Sequence, residues 1–124
     1  MVMNALRLPF CQAEDSAAIR QSAANLLTGQ PAETVQDVLL VITELVDNVV
    51  QHTSGGGELY LRREESTVWV EVHDHSRTAP RLQRADPRTP GGRGLLLVAA
   101  VTDRWGSEPT PTGKLVWARL GQAS

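Results

Sequence analysis

The chain carries one cysteine, Cys11, and one lysine, Lys114, among 124 residues. A single cysteine closes no intramolecular disulfide, which excludes a secreted, disulfide-stapled fold. It also leaves no cysteine pair for a structural zinc site. No apolar run approaches the ~18 residues that a membrane helix needs. The opening MVMNALRLPF lacks the charged start and long apolar stretch of a signal peptide. An excess of charge of one sign is missing as well. Twelve basic residues face fourteen acidic ones, a net charge of −2, so no net charge draws the protein toward nucleic acid or membrane. What is present is ordinary: 41% apolar and 21% charged residues, proportions that fold rather than stay disordered. The expectation is one cytoplasmic domain covering residues 1–124.

Along the chain, Leu6, Leu8 and Phe10 alternate with Arg7 and Pro9, predicting a short edge strand. Asp15 or Ser16 is placed to cap a helix whose Ile19, Ala23, Leu26 and Leu27 share a face, and Gly29 ends it. A second helix is expected from about Pro31, with Val35, Val38, Leu39, Ile42, Leu45, Val46 and Val49 at helical spacing, stopping at Ser54-Gly55-Gly56-Gly57. Strands over 58–63 and 67–74 follow, joined by Glu64-Glu65-Ser66. Residues 77–92 are rich in Pro, Arg and Gly without periodicity and read as a long surface loop. An apolar helix over 95–101 and a last strand over 113–120 complete the order βααββαβ. That order predicts an α+β sandwich, with helices on one face of a mixed, mainly antiparallel sheet.

Several residues break local rules. Glu44, Asn48 and His52 lie four apart and form a polar stripe on the second helix. Asn is a mediocre helix former, and here it sits between Val46 and Val49. The stripe is either a solvated face or a carboxylate and amide turned toward a ligand. In the second case Asn48 supplies an oxygen to a hard cation such as Mg²⁺, and Glu44 accepts a proton from an attacking hydroxyl. Asp74 continues the row Val68, Val70, Val72 and therefore points inward. A carboxylate there needs a hydrogen bond, from a ligand's amino group or from backbone N–H groups of the following turn. His73 and His75 share a face but lack a third metal ligand, and read as surface histidines. Gly91-Gly92-Arg93-Gly94 opens a helix, where glycines allow close approach to a phosphate and free N–H groups face it. No Gly-Lys-Ser/Thr follows, so this is not a Walker A loop. Arg77, Arg81, Arg84, Arg88 and Arg93 are either a solvated loop or a cover over phosphates, with no aromatic residue among them to stack on bases. Trp105 and Trp117 are expected as core or helix-packing aromatics, Trp69 on the sheet face away from Asp74, and Cys11 as a small buried residue.

Taken in order, ELVDNVVQH (44–52), VHDHS (72–76), the Arg/Pro loop, GGRGLLLV (91–98), DRWG (103–106) and GKLVW (113–117) resemble the GHKL, or Bergerat-fold, ATPase superfamily. Within it the chain is most similar to the short actinobacterial anti-sigma-factor and serine-protein-kinase branch, over essentially its whole length. The resemblance implies a histidine kinase-like ATPase domain that binds ATP and Mg²⁺. By it, Asn48 coordinates Mg²⁺ and Glu44 is the general base. Asp74 accepts a hydrogen bond from the adenine amino group. Gly92, Arg93, Gly94 and the adjoining Leu95 belong to the glycine box that meets the phosphates, and residues 77–91 form the lid. Two departures stand out: Ser76 replaces a favoured glycine, and Thr112 and Lys114 lie where many members place a threonine supporting the aspartate through water.

The implied function is an ATP-binding regulator that phosphorylates a serine of an antagonist protein (an anti-anti-sigma factor) and otherwise sequesters a sigma factor. The alternative is a non-catalytic, nucleotide-dependent binding module. Neither involves direct contact with nucleic acid or membrane, and a homodimer is left open.

Overall fold

The alternation in Ala5–Phe10 does produce a strand, β1. It opens a computed structural model that describes residues 4–52, 56–74 and 94–121. Helices α1 (Asp15–Leu26) and α2 (Ala32–His52) follow, then β2 (Gly57–Glu64), β3 (Thr67–Asp74), α3 (Gly94–Val101), β4 (Arg104–Thr110) and β5 (Gly113–Gly121). The strands form one sheet in the order β1-β2-β3-β5-β4. All four pairings are antiparallel, so the expected mixed character is corrected. The reason is β4, which sequence reading missed. It carries the chain outward, so that β5 returns antiparallel to both its neighbours.

β4 reads RWGSEPT, a poor strand by propensity. It is tolerated because it lies at the edge, where Pro109 costs no ladder bond between central strands. Gly106 pairs with Trp117, and a Cβ added there would lie 2.9 Å from the indole ring. The ring covers the glycine across the strands. Trp117 therefore lies on the open face, with its ring centre 6.2 Å from that of Trp69, and not in the core as expected. Arg62 and Arg119 lie 5.5 and 5.8 Å from the Trp69 ring centre. Trp105, on the other face, packs against the core.

The helix-facing side of the sheet supplies Leu59, Leu61, Val68, Val70, Val72, Val116, Ala118 and Leu120, all buried. Against them lie Ile19, Ala23 and Leu26 of α1, and Val38, Ile42, Leu45, Val46 and Val49 of α2. Burying each Val or Leu side chain contributes about 1.5–3 kcal/mol, so this double layer holds the domain together. Among the described residues no helix is long and apolar enough to cross a membrane.

The start of α1 differs from expectation. Glu14 is the N-cap and makes no side-chain cap bond. Asp15 instead accepts hydrogen bonds from the backbone N–H groups of Cys11 (2.8 Å) and Gln12 (3.2 Å). These bonds hold its carboxyl below the usual carboxylate range. Cys11 is exposed, a further correction, because it follows the last strand residue and lies in the turn that Asp15 ties down. Gly29, with φ +94°, follows α1 as its left-handed stop. Between β2 and β3 a two-residue turn places Glu65 at φ +46°.

Candidate functional site

The polar stripe on α2 lies at the border of its buried face. Leu45, Val46 and Val49 are buried, while Glu44 and Asn48, one turn apart, are half-buried. Neither is a fully solvated position. Burial, and secondarily the negative charge of Asp47, push the Glu44 carboxyl above its ordinary value. A carboxylate whose pKa is raised is a stronger base than an ordinary one.

This shift has a stability consequence. Because the folded chain disfavours ionised Glu44, the cost is absent below the unfolded carboxylate pKa. It grows as pH rises through the shifted value and stays in place above it. Glu44→Gln is therefore expected to raise the Tm at pH 7 more than at pH 4, a comparison that thermal melts at the two pH values make directly.

Asp74 ends β3 on the row of Val68, Val70 and Val72, and is 2% exposed. The inward phase read from sequence is observed. Its strand register places it directly opposite Lys114 of β5, with Lys114 Nζ 3.6 Å from Asp74 Oδ2. The Lys114 side chain is itself only 9% exposed. Sequence reasoning offered a ligand amino group or backbone N–H groups as partners for this carboxylate and did not select the lysine. The signal was there: Lys114 is in phase with Val116, Ala118 and Leu120, so the chain's one lysine is an inward residue. On the other side of Asp74 is Gly57, where an added Cβ would lie 2.2 Å from the His73 carbonyl oxygen. Gly56 is equally constrained, its added Cβ falling 1.8 Å from the Phe10 carbonyl oxygen. These glycines let the chain leaving α2 enter the sheet against β1 and β3.

α3 begins at Gly94 and continues through Leu95. Gly92, Arg93 and residues 77–91, together with His75 and Ser76, lie outside the described residues. α2 packs against α3, β3 and β5. The elements that carry Glu44 and Asn48, Asp74, Gly94 and Lys114 are thus brought together around one helix. His73 points to the open face, 3.3 Å from Glu71 and stacked obliquely on Tyr60, as a surface histidine should. Among the described residues no group of three His, Cys, Asp or Glu side chains could hold a metal ion. A hard cation takes oxygen ligands alongside water and phosphate oxygens, and the amide oxygen of Asn48 is a donor of that kind. An open cleft of about 520 Å³ lies at the opposite end of the sheet, lined by Glu64, Glu65, Ser66, Thr67, Trp69 and Arg119. It is remote from Asp74, which shares a strand with Thr67 but sits at its other end.

A five-stranded antiparallel sheet covered by helices on one face, with Asp74 and Lys114 facing each other across β3 and β5, is the architecture of a GHKL-type ATPase domain. Residues 11–120 match the histidine kinase-like ATPase domain family, and the chain belongs to that family. Among solved structures it is similar to the histidine kinase domain of a blue-light activated histidine kinase from Erythrobacter litoralis, with 20% identity and a TM-score of 0.53. That similarity covers 90% of this chain and 61% of the other, and it establishes the fold. No curated protein is matched at the level of sequence. At the level of the family, the domain is one that binds ATP, typically with Mg²⁺.

Proposed function

We propose that this chain is an anti-sigma factor that binds ATP with Mg²⁺ and phosphorylates a serine of an anti-anti-sigma antagonist protein. The observation that carries the reading is Asp74, a buried carboxylate at the end of a valine row, in a chain of the ATPase family. In this reading Asp74 accepts a hydrogen bond from the adenine amino group. Asn48, half-buried on α2, holds Mg²⁺ through its amide oxygen. Gly92, Arg93, Gly94 and Leu95, leading into α3, offer backbone N–H groups to the phosphates. When bound, the cation neutralises phosphate charge during transfer.

Glu44 then takes the proton of the substrate serine hydroxyl as that oxygen attacks the γ-phosphorus, and the bond from γ-phosphorus to the bridging oxygen breaks to release ADP. Its raised pKa suits the role. The partners in this reading are a cytoplasmic sigma factor and its antagonist. The near-neutral charge balance favours protein surfaces over nucleic acid.

The experiment that tests the metal and nucleotide assignment compares two ligands on one variant. Asn48→Ala is expected to weaken ATP with Mg²⁺ about tenfold or more, while adenosine without magnesium loses far less. Equal losses for both ligands in calorimetry would instead assign Asn48 to the structure of the helix.

A further inference from the structure

Asp74 is already engaged in the folded chain. Its side chain is fully enclosed, and Lys114 Nζ lies 3.6 Å from its Oδ2 across the β3–β5 ladder. Each of the two residues has further interactions besides this pair. An incoming amino group therefore cannot simply be added at this carboxylate. It has to replace a group that is already there.

The group best able to leave is the ammonium. Its 3.6 Å separation from Oδ2 exceeds the span of about 2.7–3.2 Å of a close N–H···O bond, so charge attraction holds it more than a short hydrogen bond does. It is carried on a flexible four-carbon stem. Lys114 is the second residue of β5, at the sheet end where residues 111 and 112 turn the chain back from β4. Of its side chain 9% already reaches solvent, whereas none of the Asp74 side chain does. Rotation about the stem takes the ammonium to water without moving a strand, and backbone groups have no such freedom.

From this geometry we infer that Lys114 is an internal competitor for Asp74: a nucleotide base gains the carboxylate by displacing the ammonium, which moves out to the surface. The pair is an autoinhibitory contact. The amino group of the base takes over as donor at Asp74, and the freed ammonium regains the hydration that burial removed. The apparent affinity for nucleotide is then the intrinsic one scaled by the fraction of molecules in which the pair is open. The inference rests on the nucleotide-binding reading given above and adds regulation to the same site.

Lys114 is the chain's one lysine, so an amine-acylating reagent reports on it alone among the side chains, and peptide mass spectrometry separates it from the terminal amine. The full chain is labelled at one pH alone, with ATP and Mg²⁺, and with inorganic tripolyphosphate and Mg²⁺, while calorimetry establishes which ligand binds. Acylation of Lys114 is expected to be slow in the free chain and about tenfold or more faster with saturating ATP, with no acceleration by tripolyphosphate. ATP that binds without accelerating the reaction overturns the inference and leaves the nucleotide reading intact. Equal acceleration by tripolyphosphate also overturns it, since no base is then needed. Lys114→Met is expected to bind ATP about tenfold or more tightly than the wild type, a gain that packing damage would not produce. An equal or lower affinity in the folded variant overturns the inference. Should that variant not fold, the wild-type labelling decides. Absence of ATP binding in both proteins overturns the nucleotide reading, and the inference with it.

Discussion

Lys114→Met is expected to lower the unfolding free energy by about 3–5 kcal/mol, the usual cost of removing one partner from a buried ion pair. The Asp74 side chain is fully buried, and Lys114 faces it directly across the β3–β5 ladder. Removing the ammonium takes a facing cationic group away from a buried carboxylate. In a small domain of ordinary stability, that loss consumes a large share of the total. The double variant Asp74→Leu/Lys114→Met should regain most of it, because an apolar pair of similar volume carries no desolvation cost. Denaturant unfolding of the two single variants and the double variant forms a cycle, and a coupling energy near zero would show that the two side chains do not interact in solution.

The second large effect concerns chemistry and should come with no loss of stability. Glu44→Gln keeps the size and helix propensity of the side chain but removes its basicity. Phosphoryl transfer to the antagonist is expected to fall by about 10²-fold or more, while nucleotide binding persists. The same substitution raises the Tm at neutral pH, as derived above, so a loss of transfer cannot be assigned to unfolding. If the wild type transfers no phosphate to a tightly bound antagonist, the chain acts as a nucleotide-dependent binding module instead.

Much of this arrangement was readable from the residues. The period of α2 and the alternation of β3 set the valine row and the half-buried stripe, because burial follows the repeat of each element. The inward phase of Asp74 came from the same alternation. Three things did not come through. β4 was hidden because Gly106, Ser107 and Pro109 are weak strand formers, and its existence depends on pairing with β5. The position of Trp117 was misread since phase alone leaves open which row faces the helices. The row of Val116, Ala118 and Leu120 does so, and Trp117 falls on the other side. Lys114 and Asp74 are forty residues apart in sequence, and only the register that sets Val68 against Leu120 makes them neighbours. Long-range register is a tertiary property, and no local propensity encodes it.

The central claim is that the buried carboxylate of Asp74 is the anchor for a nucleotide base. Titration of ATP with Mg²⁺ into the wild type and Asp74→Asn, with both confirmed folded by circular dichroism, measures it most directly. The account predicts saturable binding to the wild type and a loss of about ten- to a hundredfold in the variant, equivalent to a charge-assisted hydrogen bond of about 1.5–3 kcal/mol. Equal ATP affinity in wild type and folded Asp74→Asn would contradict it.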